Sequence, residues 1–285
     1  MPELPEVETI VRDLNSQTKR KKITSVKILD AKAVKLPINK FYKQVVGQTV
    51  KAVKRRAKMV IIELLDKFLL IHLKMTGQLV YQAGKKIIAG GHPLAHIAKE
   101  LPNKFTRVIF EFNNKSKLFF NDLRKFGWIK IASKQELEKI SDSLGAEPLD
   151  SEFNLAKLKE ILSHKQNTTI KQAIMDQKYL VGLGNIYSDE ALFLSGIKPT
   201  RKVKTLTVRE IKKLWRAIPR ILKYAIKHRG TSFSDYVDAK GEAGNFIKYL
   251  KVYGRAGEKC KVCGGVVKKT KINGRGTHWC DQCQK

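Results

Sequence analysis

The sequence lacks long apolar runs, and its first residues lack the features of a secreted protein. No stretch reaches the roughly 18 uninterrupted apolar residues of a membrane-spanning helix, so we expect no membrane partner. The first ten residues contain neither the basic nor the apolar region of a secretory signal peptide. Hydrophobic residues make up 42% of the chain, enough to form buried cores, which disfavours wholesale disorder. We therefore expect a folded, cytoplasmic protein.

Acidic residues are scarce, and their scarcity gives the chain a large positive charge. There are 26 Asp and Glu against 57 Lys and Arg, and the formal net charge is +31 at pH 7. A surplus of that size increases self-repulsion in the folded state, so it favours a polyanionic partner, with nucleic acid as the leading candidate. A proteome rich in lysine would give the same surplus, so charge alone leaves both interpretations open.

Cysteine is absent until the last part of the chain, where four residues follow the pattern Cys260-x2-Cys263-x16-Cys280-x2-Cys283. Two CxxC pairs at this separation are typical of a tetrahedral four-thiolate zinc site and favour a metal over disulfides. Since protein ligands fill all four positions, such a zinc ion is structural, and it allows a segment too small for its own core to fold. The sequence therefore predicts one structural zinc ion.

Length and periodicity predict an α+β chain with room for two domains. Residues 3–14 have helical periodicity, and short apolar runs from 23 to 131 predict the strands of a sandwich or barrel. We expect a loop at 83–104 and a linker at 134–152 because Gly and Pro interrupt the pattern there. Further helices are predicted at 154–163, 168–175, 185–195 and 207–228, the last with a kink at Pro219.

Two short glycine-containing segments have the form of phosphate-binding elements. Gly182-Leu183-Gly184-Asn185 precedes a predicted helix, where backbone N–H groups and Asn185 as the cap can bind a phosphate. Between the cysteine pairs, Asn273-Gly274-Arg275-Gly276 predicts a tight hairpin tip that presents an arginine. Both patterns are common in proteins, so each by itself is weak evidence for phosphate binding.

The N-terminus offers an amine nucleophile. Loss of Met1 would expose the secondary amine of Pro2, and an α-amine pKa of roughly 7.7–8.0 leaves a neutral fraction at physiological pH. Glu3 and Glu6 stand nearby to transfer protons. On local grounds, an ordinary helix start with Pro and acidic residues in its first turn is the simpler interpretation.

Several longer motifs, taken in order, resemble the formamidopyrimidine-DNA glycosylase family. They are PELPEVET at 2–9, RRAK at 55–58, HLKMTG at 72–77, DLRKFG at 122–127, IMDQKYLVGLGNIYSDEALFLSGIKP at 174–199 and the cysteine-rich end. The matches run from residue 2 to residue 284 and so cover essentially the whole chain. The opening PELPEVET favours this branch over its endonuclease VIII relatives, which read PEGPE-like there.

The resemblance implies an N-terminal β-sandwich with an N-terminal helix, then a helix-two-turn-helix domain with a C-terminal zinc-binding β-hairpin. We place the catalytic domain at 1–133, the linker at 134–152, the helix-two-turn-helix domain at 153–245 and the zinc finger at 246–285. The implied protein is a monomer that acts on damaged double-stranded DNA in base excision repair and is associated with the nucleoid.

The implied activity is that of a bifunctional glycosylase and abasic-site lyase acting on 8-oxoguanine and formamidopyrimidines. Pro2 would attack C1′ of the damaged nucleotide and form an iminium, which serves as the electron sink for β,δ-elimination. Glu3 would be the acid and base at the sugar, with Glu6 in support. Lys58 would contact the lesion or its flanking phosphate and take part in the elimination, and Arg275 would assist its second step.

Other matched positions imply DNA contacts. Met75, Arg124 and Phe126 match the family's gap-filling triad, although by residue type alone Met75 and Phe126 are candidates for a core. Lys171, Asn185 and Arg275 match phosphate-binding positions, and the stretch 238–246 corresponds to a loop that closes over the everted base. The chain departs from the family at Phe105, where a DNA-contacting His is common, and Arg107 is the candidate for replacing that contact. It also departs at Leu123, where the family often has Pro, and at 165–167, where a basic run has fewer lysines.

Three other interpretations remain. The same charge and cysteine pattern suits a zinc-ribbon protein that binds nucleic acid without catalysis, for which Pro2 and Glu3 would be dispensable. An endonuclease VIII-like enzyme would remove oxidised pyrimidines instead of purines. A damage-recognition paralogue without activity is disfavoured, because the nucleophile and the acid are both present.

Overall fold

The computed structural model describes residues 1–91, 100–231 and 246–285, which divide into two compact units. One unit comprises residues 1–142 and 228–247, and the other comprises residues 143–227 and 248–285. The domain boundaries proposed from the sequence stay predictions. Within the described ranges, no helix combines the length and the apolar character needed to cross a membrane.

The first unit contains two antiparallel sheets and the helices around them. Its helices are α1 (Leu4–Thr18), α2 (Ile38–Val45) and α3 (Lys134–Asp142), with a 3₁₀ turn at Ala31–Ala33. Its strands are β1 (Ile23–Ile28), β2 (Ala52–Arg56), β3 (Met59–Glu63), β4 (Phe68–His72), β5 (Gly77–Ala83), β6 (Lys86–Gly91), β7 (Thr106–Phe112), β8 (Lys117–Asp122) and β9 (Trp128–Ala132). Among the described residues, the sheet orders are β1-β7-β8-β5-β6 and β2-β3-β4-β9.

The main core of this unit forms where the sheets and α1 meet. The buried apolar residues of α1 include Val7, Ile10, Val11 and Leu14, which repeat at helical spacing. Helix α1 packs against β2 and β3 of one sheet and β5 and β6 of the other. Strand residues such as Val60, Leu69 and Phe110 complete the cluster. The predicted α+β sandwich with an N-terminal helix is confirmed.

One sequence-based assignment in this unit is wrong in part. The segment 83–104 was expected to be a loop, yet β6 pairs with β5 through a tight turn at Gly84, whose φ is +57°. The linker predicted at 134–152 stays a prediction, and α3 occupies its first part. None of the α3 residues is fully buried, and only Leu137 and Ile140 pack against a small apolar cluster, so its helical pattern is weak.

The second unit is helical and ends in a hairpin. Its elements are α4 (Leu155–Ser163), α5 (Ile170–Met175), α6 (Asn185–Ser195), α7 (Val208–Lys227), β10 (Val267–Ile272) and β11 (Arg275–Cys280), with a 3₁₀ turn at Val203–Thr205. A further 3₁₀ turn, Phe246–Tyr249, contains residues of both units. Helix α6 packs against α5, α7 and β11, so it is the centre of the unit. Helix α7 is continuous through Pro219. The four helices predicted in this unit are confirmed to within two residues at each end.

Candidate DNA-binding and catalytic sites

Pro2, Glu3 and Glu6 form a compact group at the start of α1. All three residues are buried, and Glu3 and Glu6 are only 3% and 4% exposed. The Glu3 backbone N–H donates to Glu6 Oε2 at 2.8 Å, as part of a reciprocal capping box at the helix start. The positive end of the helix dipole favours carboxylates at this position. The sequence thus folds its predicted nucleophile and acid into one fixed turn.

Glu6 has a second set of partners in the same unit. Its Oε1 accepts hydrogen bonds from the Thr231 backbone N–H at 2.8 Å and from Thr231 Oγ1 at 3.1 Å. The neighbouring Gly230 has φ +74°, and a Cβ there would lie 2.6 Å from Glu6 Oε1. Glu6 therefore joins the first turn of α1 to the chain just before residue 232. The predicted closing loop at 238–246 lies outside the described residues except for Phe246.

Lys58 and His72 lie near each other in the first unit. Lys58 is 6% exposed and follows Ala57, which takes a positive φ of 54° at the turn between β2 and β3. His72 ends β4, and its Nδ1 accepts the Lys74 backbone N–H at 3.0 Å while its ring packs against Trp128. Burial lowers the pKa of His72 to about 4, and the charges of Lys74 and Lys58 contribute. Sequence reasoning did not single out His72, and its place in the HLKMTG motif was the only available signal.

The three residues of the predicted gap-filling triad are carried by two loops. Met75 follows β4 and is 38% exposed, whereas Phe126 follows β8 and is 53% exposed. The Arg124 guanidinium carbon lies 4.8 Å from the centroid of the Phe126 ring, a cation–π distance. Large apolar side chains exposed in this way are not core residues, so the simpler interpretation of Met75 and Phe126 is wrong.

Arg107 has contacts inside the protein. It is 9% exposed, its Nε donates to the Asp122 carbonyl at 2.9 Å, and its Nη1 donates to the Lys104 carbonyl at 3.2 Å. These bonds hold the backbone at the ends of β7 and β8. A DNA contact by Arg107 stays a prediction.

Lys171 lies at the centre of a buried polar network in the second unit. Its ammonium is 2.7 Å from Asp189 Oδ1, 2.6 Å from Asn185 Oδ1 and 2.9 Å from Thr277 Oγ1. The side chain is almost fully buried, and so is that of Asp189. The other Asp189 oxygen, Oδ2, accepts the His278 backbone N–H at 2.8 Å. Sequence reasoning did not identify Asp189 as the partner of Lys171, because Asp189 lies in the middle of a predicted helix.

Asn185 joins this network to the hairpin. Its Nδ2 donates to the Gly276 carbonyl at 2.9 Å, and the residue is the first of α6. Gly184, not Asn185, occupies the N-cap position, which corrects the expectation that Asn185 caps the helix. The side chain is therefore directed into contact with β11 instead of into a cap.

A groove of about 330 Å³ adjoins the Lys171 network. The residues that line it include Lys165, Thr168, Lys171, Gln172, Asn273 and Arg275. Arg275 is exposed at the hairpin tip, next to Gly274 with φ +75°. Cations, hydroxyls and amides around a small concave surface suit a phosphate. The structure thus brings two of the three predicted phosphate-binding residues to one groove and connects the third to it through Lys171.

The four cysteines form a cluster that fits one zinc ion. Their Sγ atoms all lie within 4.8 Å of one another, with Cys260 to Cys283 at 3.9 Å and Cys263 to Cys280 at 3.5 Å. Tetrahedral zinc with Zn–S bonds of about 2.3 Å needs sulfurs about 3.8 Å apart. Nearby, the buried Glu190 carboxylate accepts the backbone N–H groups of residues 251 to 253 and so holds the segment that leads to the cluster.

Family models match three successive parts of the chain. Residues 1–129 match the formamidopyrimidine-DNA glycosylase N-terminal domain, and residues 144–237 match the H2TH domain of the same enzymes. Residues 257–285 match a zinc finger found in FPG and IleRS.

Curated proteins and solved structures give the same relationship over the full length. The chain is 39% identical to a formamidopyrimidine-DNA glycosylase of Pelotomaculum thermopropionicum, covering 100% of this chain and 99% of that protein. It is 40% identical to one of Halalkalibacterium halodurans, with 100% of both covered. It is similar to a Lactococcus lactis FPG mutant in complex with Fapy-dG containing DNA, with a TM-score of 0.87, 32% identity and 100% of both chains covered. A complex of Lactococcus lactis Fpg with DNA containing an abasic site gives a TM-score of 0.86 at 32% identity, with 99% of both chains covered.

Proposed function

Because this chain belongs to the formamidopyrimidine-DNA glycosylase family, we propose that it removes oxidised purines from duplex DNA and then cleaves the resulting abasic site. The observation that carries the proposal is the buried group of Pro2, Glu3 and Glu6 at the start of α1. The relatives bear the name of the glycosylase activity, and the similar Lactococcus structures hold Fapy-dG or abasic DNA. The preferred substrates would be 8-oxoguanine and formamidopyrimidines.

Pro2 would be the nucleophile once Met1 has been removed. Its nitrogen forms a bond to C1′ as the bond from C1′ to the base breaks, and protonation of O4′ opens the sugar to give an iminium. The iminium withdraws electrons, so loss of a C2′ proton expels the 3′-phosphate, and a second elimination expels the 5′-phosphate. The damaged base leaves with the proton that the Pro2 amine gives up, and a water molecule then hydrolyses the iminium, which releases the sugar fragment and restores the Pro2 amine.

Glu3 would carry the protons in this sequence. It lies next to Pro2 in the chain, is buried, and is held by the capping box. Partial exclusion of water strengthens the interaction of a carboxylate with a developing cation. Glu6 would support it by fixing the Glu3 backbone. Lys58 and Arg275 would take part in the elimination as cations that stabilise a leaving phosphate.

The remaining site residues would hold and distort the DNA. Lys171, Asn185 and Arg275 would contact phosphates, as the groove beside Lys171 suggests by its chemistry. Met75, Arg124 and Phe126 would fill the gap left by the everted nucleotide, a role that suits exposed apolar side chains next to an arginine. One structural zinc ion on the four cysteines would stabilise the hairpin that carries Arg275.

Borohydride trapping tests the proposal directly. Purified protein is incubated with a duplex containing 8-oxoguanine, reduced, and digested for peptide mass mapping, with a thymine glycol duplex in parallel. We expect a covalent adduct on a peptide that begins at Pro2, formed faster on 8-oxoguanine. The Glu3→Gln variant should bind the same duplex without forming the covalent adduct. A preference for thymine glycol would favour the pyrimidine-specific interpretation, and specific binding without any adduct by protein lacking Met1 would favour a non-catalytic DNA-binding protein.

A further inference from the structure

One buried carboxylate, that of Asp122, connects the two loops that carry the gap-filling triad. Asp122 ends β8 and is 1% exposed. Its Oδ1 accepts hydrogen bonds from Thr76 Oγ1 and, at 3.2 Å, from the Arg124 backbone N–H. Its Oδ2 accepts the Gly127 backbone N–H at 2.6 Å. All three partners lie in the same compact unit as Asp122.

The partners of Asp122 stand immediately beside the triad. Thr76 follows Met75, Gly127 follows Phe126, and Arg124 belongs to the triad itself. Thr76 Oγ1 also accepts the Arg124 backbone N–H at 2.9 Å, so the two loops are joined by a closed set of hydrogen bonds. The strand pairs Gly77–Asp122 and His72–Trp128 join the ends of the two loops, and the Asp122 bonds extend that connection to the residues next to the triad.

Both loops contain backbone conformations that need such support. Lys74, just before Met75, has φ +49°, and Lys125, between Arg124 and Phe126, has φ +59°. Residues other than glycine rarely adopt the left-handed backbone conformation, and they keep it only where surrounding contacts enforce it. At Gly127 a Cβ would lie 2.7 Å from Phe120 Cζ and 3.0 Å from Asp122 Oδ2, so the second loop is also closely packed.

We propose that Asp122 is a positioning residue that holds Met75, Arg124 and Phe126 ready to enter the DNA stack. The inference rests on the proposed function. Inserting side chains into a duplex works best when the loops are ordered before binding, because ordering them on binding would add an entropic cost. Asp122 touches neither the lesion nor the nucleophile in this account, and it acts only through the two loops.

The test compares variants that remove the link with one that keeps it. Asp122→Asn preserves the shape of the side chain but places an NH₂ group against a backbone donor, either the Arg124 N–H or the Gly127 N–H. Thr76→Val removes the bridge between the loops, whereas Thr76→Ser keeps the hydroxyl and serves as the matched control. Melting temperatures show whether each variant folds. If Asp122→Asn does not fold, Thr76→Val is compared with Thr76→Ser in its place.

Two rates separate positioning from general damage to the enzyme. One is single-turnover excision of 8-oxoguanine from a duplex, which needs a paired base to be displaced, and the other is cleavage of a preformed abasic site, which does not. We expect Asp122→Asn to slow excision by about 10- to 100-fold and abasic-site cleavage by far less, since small misplacements of positioning groups have effects of this size. A 2-aminopurine next to the lesion should show a correspondingly smaller rise in fluorescence. Thr76→Val should follow Asp122→Asn, and Thr76→Ser should follow the wild type.

The possible results have distinct meanings. Equal slowing of both rates, or excision at the wild-type rate by Asp122→Asn and Thr76→Val, would overturn the positioning role. A selective loss of excision in Asp122→Asn and Thr76→Val but not in Thr76→Ser would establish it. Failure of the wild-type protein to excise 8-oxoguanine or to form the borohydride adduct would count against the proposed function itself, and it is read from the wild type alone.

Discussion

Glu6 and Thr231, 225 positions apart in the chain, are joined by two hydrogen bonds to one carboxylate oxygen. The other oxygen of Glu6 accepts the backbone N–H of Glu3. A single buried side chain therefore fixes both the turn that carries the proposed acid and the backbone at Thr231. Gly230 is required beside it, because any Cβ would collide with Glu6 Oε1 and its φ is positive.

Replacing Glu6 with Gln should destabilise the protein and slow excision. The amide NH₂ group cannot accept a hydrogen bond, so either the Glu3 N–H or the Thr231 N–H is left without its present acceptor in a buried site, at a cost of about 1–3 kcal/mol. Urea unfolding and single-turnover excision measure the two effects. Glu8→Gln is the matched control on the same helix, because Glu8, which is 20% exposed, pairs with Arg12 and Arg55 instead of with the Glu3 turn or Thr231. Equal losses in the two variants would contradict this role of Glu6.

Replacing Asp189 with Asn should destabilise the second unit strongly. The change leaves the buried Lys171 ammonium without its charged partner, and breaking one side of a buried ion pair costs about 3–5 kcal/mol. Adding Lys171→Met to Asp189→Asn removes the uncompensated charge, so the double variant should be more stable than Asp189→Asn alone. Denaturant unfolding measures both, and a double variant less stable than the single one would show that charge burial is not the cause.

Replacing Arg275 with Ala should reduce the salt dependence of DNA binding. If Arg275 contacts one phosphate, its loss lowers the slope of log K against log salt concentration by about 1, because one fewer counterion is released. Fluorescence anisotropy with an undamaged duplex at several salt concentrations gives the slope. Arg216→Ala is the charge-matched control, since Arg216 is exposed on α7, away from the groove that contains Lys171 and Arg275. The same decrease in both variants would mean that only net charge matters.

Local patterns predicted those elements whose residues alternate or repeat clearly. The short apolar runs predicted strands in the region that contains Thr106–Phe112, Lys117–Asp122 and Trp128–Ala132, because turn signals separate the runs there. The cysteine spacing likewise predicted a cluster that the structure contains. By contrast, α2 was missed, because among its residues only Phe41 and Val45 are buried and the apolar stripe is short.

The long-range partners of the site residues could not be predicted from the sequence. The bonds from Thr231 to Glu6, from Lys171 to Asp189 and from Thr76 to Asp122 join residues far apart in the chain, and no local periodicity encodes them. The family motifs contain Glu6, Thr76, Asp122 and Asp189, but they do not say which residues are partners. The exposure of Met75 and Phe126 was also beyond residue-type reasoning, since Met and Phe are usually buried.

Removing zinc should unfold the hairpin and weaken DNA binding. A two-stranded hairpin is marginally stable by itself, and here it is supported by a small cluster that includes Val252, Val267 and buried cysteines. Hydrogen exchange of the chelator-treated protein should show loss of protection in β10 and β11, while the strands of the sandwich keep theirs. DNA affinity should fall and return when zinc is added back. Unchanged affinity of fully zinc-stripped protein would contradict this prediction.

The stability of the protein should fall on acidification through the titration of His72. Burial, with the charges of Lys74 and Lys58, lowers its pKa from 6.5 to about 4. Between these two values the unfolded chain binds a proton that the folded protein does not, so the free energy of unfolding decreases as the pH falls from 6.5 towards 4. The largest slope that one group can contribute is about 1.4 kcal/mol per pH unit.

His72→Asn isolates this contribution. The Asn carbonyl oxygen can accept the Lys74 N–H in place of Nδ1, yet the side chain does not titrate. Unfolding free energies of both proteins, measured across the interval between the two pKa values, give a difference from which all other titrating groups largely cancel. We expect the wild type to lose stability relative to the variant as the pH decreases through this interval. Well above pH 6.5 the difference between their free energies of unfolding should be constant. A difference that stays constant across the interval would mean that His72 binds a proton as readily in the folded protein as in the unfolded chain. That result would contradict the assignment of a neutral Nδ1 as the acceptor of the Lys74 N–H.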